Sequence, residues 1–187
     1  RKKALPAALA AAALAALTLA PAAPAAAATG EVIEVIHTYT ETVKESNSSF
    51  RCPANEVMIG RAHYGDENGK TTYRCGRVYV NGEQVTVTLT TTSAVRESRS
   101  DYSTPEDMAI IGRAHYGDEN SYTTYYAGLM LWQGRIVRLT SRQSTGYVRE
   151  SNHISIAGAN EVMTGRAHVG DENGRTRYEY ATVTIDG

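Results

Sequence analysis

The chain reads as an all-β domain of three tandem repeats of about 52 residues, closed on one another with pseudo-threefold symmetry. Three observations predict this. First, Gly60-Arg61-Ala62-His63-Tyr64-Gly65-Asp66-Glu67-Asn68 returns at Gly112 to Asn120, and again at Gly165 to Asn173 with Val169 in place of the tyrosine. The offsets are 52 and 53 residues. Second, the stretches between copies alternate apolar with polar residues, as in Val85-Thr86-Val87-Thr88-Leu89-Thr90. That is the period of a half-buried strand, and Thr and Val are strand formers. Third, no repeat is atypical, whereas an open array needs distinct end units to cover its core. Closure also removes sheet edges.

Taken in order, Arg1-Lys2-Lys3 followed by an Ala/Leu run and small residues up to Ala28 has the form of a secretory leader cleaved near Ala28. Pro21 and Pro24 interrupt the run, which makes it marginal as a membrane span, and nothing later is apolar for long enough. The repeats then fall at 31–82, 83–134 and 135–187 within a single domain, 29–187. Each opens on an alternating strand (Val32 to Thr42, Val85 to Ala94, Ile136 to Thr145) that runs into Val-Lys/Arg-Glu-Ser. A variable loop follows. A hairpin comes next, its strands Val57 to Tyr64 and Thr71 to Val80 in the first copy, with Gly65-Asp66-Glu67-Asn68-Gly69 as the turn. No stretch has helical periodicity. Both β-prism-like and trefoil-like arrangements accommodate three such units.

Removing Arg1, Lys2 and Lys3 from 19 basic residues leaves 16 against 20 acidic ones, a formal charge of −4. With no Lys/Arg cluster, nucleic acid is not expected as a partner. Cys52 and Cys75 are the only cysteines. Both lie in the first repeat, and their counterparts Thr104 with Ala127 and Ala157 with Tyr180 lose them together. In a secreted chain this predicts a disulfide.

Arg61, His63, Asp66, Glu67 and Asn68 recur by type in every copy while their surroundings drift. One reading is a self-satisfied corner. Arg61 and His63, with Arg113 and His115 and with Arg166 and His168, form a structural network, each arginine pairing with a carboxylate of its own turn. The other reading is a contact surface. Tyr64, Asp66, Glu67 and Asn68 form one set of binding candidates, and Tyr116, Asp118, Glu119 and Asn120 the second. Asp171, Glu172 and Asn173 form a third without the ring. Carboxylate, amide and aromatic ring together are a sugar-recognition set. Adjacent acids are poorly spaced as calcium ligands or as opposed glycosidase carboxylates, so no metal, cofactor or catalytic residue is expected. His37 and His153 are unrepeated and read as surface or loop histidines, and Trp132 reads as core.

The run Glu-Val-Met-x-Gly-Arg-Ala-His-x-Gly-Asp-Glu-Asn-Gly-x-Thr, at Glu56 to Thr71 and Glu161 to Thr176, resembles small secreted actinobacterial repeat proteins. It is similar to the adaptor subunit of the umbrella-toxin particles of such bacteria. The resemblance implies a non-enzymatic β-rich subunit that bridges a lectin-bearing component to a large toxin, with residues from Thr29 to Thr42 serving partly as an extended bridging segment. A secreted binding module for extracellular protein partners is therefore expected. A multivalent lectin for cell-surface glycans is the alternative, and an enzyme inhibitor presenting a loop such as Asn47 to Phe50 is a further one.

Overall fold

The computed structural model describes residues 30–171 and 173–185. The expected leader, Glu172 and the terminal Asp186-Gly187 lie outside the described residues. From Glu31 onward the chain forms one compact unit. Among the described residues no helix occurs, so none is long and apolar enough to cross a membrane.

The first third of the chain supplies β1 (Ile33–Lys44), β2 (Ser48–Arg51), β3 (Val57–Tyr64), β4 (Lys70–Val80) and β5 (Glu83–Gln84). The second supplies β6 (Thr86–Arg96), β7 (Arg99–Ser103), β8 (Met108–His115), β9 (Tyr122–Trp132) and β10 (Arg135–Ile136). The last supplies β11 (Arg138–Ser144), β12 (Val148–Arg149), β13 (Asn152–Ile156), β14 (Glu161–Val169) and β15 (Arg175–Thr184). These make three antiparallel sheets. Their strand orders are β1-β4-β3-β13, β10-β9-β8-β2 with β6 also on β9, and β11-β15-β14-β7 with β12 also on β15.

The hairpin strands fall where the turn residues between them place them. The stretch read as a variable loop is different. It folds as a short strand and leaves its own sheet: β2 pairs β8, β7 pairs β14, and β13 pairs β3. Each sheet is thus completed by a strand from another third of the chain. The signature glycine makes this possible. A Cβ at Gly112 would sit 2.6 Å from the Phe50 carbonyl oxygen, and one at Gly165 would sit 2.6 Å from that of Tyr102. Only a residue without a side chain admits the incoming strand that closely.

The exchange also buries Phe50, which stacks on Tyr73 at 4.5 Å, while Tyr102 stacks on Tyr125 at 4.4 Å. Ser48–Arg51 is therefore paired strand rather than protruding loop, and the inhibitor reading loses its basis. The Cys52–Cys75 disulfide forms, with Cα atoms 5.7 Å apart. It ties the end of β2, seated on the second sheet, to β4 of the first. Closing that loop contributes about 3 kcal/mol on the chain-entropy view.

The interior is layered. An aliphatic cluster around Val57, Val80, Ile111, Val137 and Val183 includes Trp132, which is core as read. Next comes a cluster of rings and methionines around Phe50, Met58, Tyr73, Ile110, Tyr125, Met163 and Tyr178. Along β3 the buried side chains Met58, Arg61 and His63 follow in that order toward the hairpin turn. The core therefore becomes polar as it approaches the turns.

Candidate functional site

At that polar end lie Arg61, Arg113 and Arg166, among the largest fully buried side chains of the protein. Their charge is neutralised by the glutamates of the Val-Lys/Arg-Glu-Ser tetrads. Arg61 bridges Glu45 at 3.0 Å and Glu150 at 2.9 Å. Arg113 bridges Glu45 at 2.7 Å and Glu97 at 3.2 Å. Arg166 bridges Glu97 at 2.6 Å and Glu150 at 3.1 Å. Every glutamate holds two arginines and every arginine two glutamates, so the six side chains form a closed, alternating ring.

Arg61 also donates to the Tyr178 hydroxyl at 2.8 Å, Arg113 to that of Tyr73 at 3.0 Å and Arg166 to that of Tyr125 at 3.2 Å. Burial alone pushes the Glu45 carboxyl up, but Arg113 and Arg61 outweigh it and hold that group well below the usual carboxylate range. Glu97 and Glu150 are likewise held low against burial, chiefly by Arg166. Buried charge survives only when it is paired, and here each charge of the ring has two opposite partners.

This pairing corrects the local expectation. Each arginine reaches not a carboxylate of its own turn but glutamates on two different thirds of the chain. The route is visible in the backbone. The amides of Glu45 and Ser46 donate to Gly69 and Glu67 carbonyls of the hairpin turn, which seats the tetrad at the tip before the chain departs to the next sheet. There the Ser151 carbonyl accepts from the Gly65 amide and the Ser98 carbonyl from the Gly170 amide.

Above the ring stand His63, His115 and His168, all buried. The Gly65 carbonyl accepts from His63 Nε2 at 3.0 Å, and the Gly170 carbonyl from His168 Nε2 at 3.0 Å. Carbonyl oxygens only accept, so the other ring nitrogen, Nδ1, carries the lone pair in the neutral ring. In the first corner Nδ1 meets Thr71 Oγ1 at 2.8 Å, and in the second His115 Nδ1 meets Thr123 Oγ1 at 2.9 Å. The same hydroxyls donate to Glu45 Oε2 and Glu97 Oε2. Burial, then the neighbouring arginine, lowers the pKa of all three histidines, that of His168 to about 4.

His153, read as a surface or loop residue, is buried on the strand that completes the first sheet. Its Nε2 lies 2.6 Å from the Tyr178 hydroxyl, and burial followed by Arg61 brings its pKa to about 4. It occupies the place that Ser48 and Ser100 take in the other two exchanged strands, opposite His63 as they are opposite His115 and His168.

The turns themselves cap the stack. Asp66, Asp118 and Asp171 are exposed, and each accepts the backbone amide two residues on, of Asn68, Asn120 and Asn173, at 2.8 to 2.9 Å. One carboxylate oxygen per turn is thereby engaged in turn geometry. Asn68 and Asn120 donate to Glu67 and Glu119, both half-buried. Tyr64 and Tyr116 stay largely exposed beside them, at 48% and 56%, as does Val169 at 54%. The turns converge. Side chains from all three, together with the three histidines and the three ring glutamates, line one small cavity of ≈ 30 Å³. Among the described residues no group of three or more His, Cys, Asp or Glu is arranged to hold a metal ion.

The residues that sequence reasoning missed are the ring glutamates. Their signal was the unvarying tetrad, present as often as the signature arginine. No family model, curated protein or solved structure matches this chain.

Proposed function

We propose that this is a secreted, non-catalytic binding module, a closed pseudo-threefold body that serves as a protein-interaction or adaptor subunit of an extracellular assembly. The single observation carrying the reading is the convergence of the hairpin turns on one cavity. Turns that point apart would offer separate weak contacts. Convergent ones offer a composite polar face on a rigid, cross-braced base, and preorganised donors and acceptors cost less to immobilise on binding. The cyclic exchange of β2, β7 and β13 supports the closed arrangement, the disulfide suits an oxidising compartment, and the likeness of the Glu56 to Thr71 run supports the adaptor role.

The test is capture of secreted partners by the purified protein and by an Asp66→Asn, Asp118→Asn, Asp171→Asn triple variant. Retention should fall at least tenfold in the variant, with the melting temperature within a few degrees. Undiminished retention places the contact elsewhere and ends the proposal.

A lectin remains the second reading, favoured by the exposed rings of Tyr64 and Tyr116 beside Asp66 and Asp118. On a glycan array it requires a wild-type signal that Tyr64→Ala with Tyr116→Ala abolishes.

A further inference from the structure

The cavity among the turns is too small for a sugar ring, since pockets that bury such ligands run on the order of 300–1,000 Å³. Its chemistry is one-sided. Every side chain lining it is a carboxylate or an imidazole: Glu45, Glu97 and Glu150 at the floor, the three histidines on the wall, and acids of the turns, among them Glu67 and Glu119, at the rim. No lysine or arginine lines it, because the ring arginines are spent on the glutamates below. The place is therefore short of donors.

The shortage is traceable atom by atom. In the first corner one threonine proton must serve both His63 Nδ1 and Glu45 Oε2, and in the second Thr123 likewise stands between His115 Nδ1 and Glu97 Oε2. In the third corner the threonine proton serves neither, because Thr176 Oγ1 donates to the Ala167 carbonyl at 3.0 Å. Glu150 Oε2 and His168 Nδ1 are then left 3.6 Å apart, both buried and both without a hydrogen-bond partner. Two acceptors at that spacing, with His168 only 2% exposed, call for one shared donor.

We propose that the cavity takes a single primary ammonium group, the head of a lysine side chain presented by a protein partner. This deepens the binding-module reading and rests on it. A lysine ammonium is compact, carries three donors and is matched in size to a space for about one water molecule. A guanidinium is a wide planar fork that the space does not admit. A bare metal ion finds no arranged ligand group among the described residues. The turn carboxylates, exposed or half-buried, supply the complementary charge at the mouth.

The probe is Nα-acetyl-lysine methylamide, titrated at pH 7.5 and constant ionic strength into full-length protein carrying ¹⁵N-labelled histidine. The expected result is a saturable shift of the His168 Nδ1 resonance with a millimolar Kd. The Nε-acetylated lysine probe and the corresponding arginine probe should give no shift. Glu67→Gln with Glu119→Gln, outside the buried ring, should weaken the Kd at least fivefold without altering the melting temperature. Absence of a saturable shift, an equal shift with the Nε-acetylated probe or with sodium chloride, or an unchanged Kd in the rim variant each overturns the site and leaves a cavity for water only. Partner capture reports separately. If capture is lost in the aspartate variant while the lysine probe fails, the module stands and the ammonium site falls. A saturable probe response with capture undiminished in the aspartate variant keeps the ammonium site and places the captured partners' contact elsewhere, which ends the reading of the turns as the adaptor face.

Discussion

The first and third corners of the polar stack carry the same residue types and do different things with them. In the first, Thr71 stands between His63 and Glu45 and also receives a hydrogen bond from Arg61 at 3.3 Å. In the third, Thr176 turns to its own strand's neighbour at Ala167, and His168 faces Glu150 with nothing between. The incoming strand differs as well. His153 lies against Tyr178, with ring centres 5.5 Å apart, in the corner where Phe50 and Tyr102 elsewhere stack on a tyrosine. Copying residues preserves a framework, here the Arg–Glu ring, because each charge has two partners and no tolerable alternative. It does not preserve single hydrogen bonds, which a hydroxyl rotor can redirect at a cost of about 1 kcal/mol.

The largest way to break the comparison is to open the ring, where the corners are alike. Arg113→Met removes the partner of both Glu45 and Glu97 and leaves two buried carboxylates with one arginine each. Uncompensated buried charge of this kind costs about 3–5 kcal/mol. Arg166→Met in the third corner should cost a similar amount in urea denaturation. A loss below about 1 kcal/mol at either position would show that the ring is dispensable and that the corners differ at the framework level too.

Much of this framework was legible before any coordinates. The turn chemistry of Gly65 to Gly69, with the Thr-, Tyr- and Val-rich run after it, places the hairpin strands Val57 to Tyr64 and Thr71 to Val80 within a residue of where they fold. The paired loss of Cys52 and Cys75 in the other repeats marks the disulfide. What local reading could not see is the exchange. Ser48-Ser49-Phe50-Arg51 is too short to show a period, and its partner β8 begins some sixty residues later. Once β13 crosses to the first sheet, Glu150 arrives beside Arg61 from 89 positions away. A search for the nearest carboxylate in the chain finds Asp66 or Glu67 instead. His153 was misplaced for the same reason: its burial is created by a neighbour from another third of the chain.

A second measurement sharpens the comparison through pH. His168, in the third corner, and His153, which lies opposite His63 and reaches across to Tyr178, have pKa values near 4 in the folded protein against 6.5 ordinarily. The unfolded chain therefore binds more protons between those values. The contribution of each is fully present above about pH 6.5 and is lost as pH falls through about 4. It amounts to roughly 3 kcal/mol per histidine. The groups around them act against each other: Arg61 and Arg166 favour the neutral ring, while Glu150 favours the charged one. Thermal melting from pH 7 to pH 4 should show a marked fall in stability. His153→Ser, which installs the residue found at positions 48 and 100, should flatten it by less than half, because His63, His115 and His168 are also held below the ordinary value. An unchanged slope in that variant would mean that His153 is already charged in the fold.

The smallest effect isolates the hydroxyl itself. Thr71→Val and Thr176→Val keep the same branched shape and remove one oxygen each from fully buried sites. At position 71 the loss leaves His63 Nδ1 without a partner, takes one of two partners from Glu45 Oε2, which keeps Arg61 at 3.0 Å, and takes an acceptor from Arg61. A buried group left unsatisfied costs about 1–3 kcal/mol. At position 176 only the bond to the Ala167 carbonyl goes. Glu150 and His168 keep the surroundings they already have, so the cost there should stay near 0.5–1 kcal/mol. The gap between the two variants is the quantity to measure, by denaturant midpoints at pH 7.5 with the slope held in common. Equal losses would mean that the third threonine, like the first, bridges its histidine and glutamate in solution, and that the two unpartnered acceptors facing the cavity do not exist.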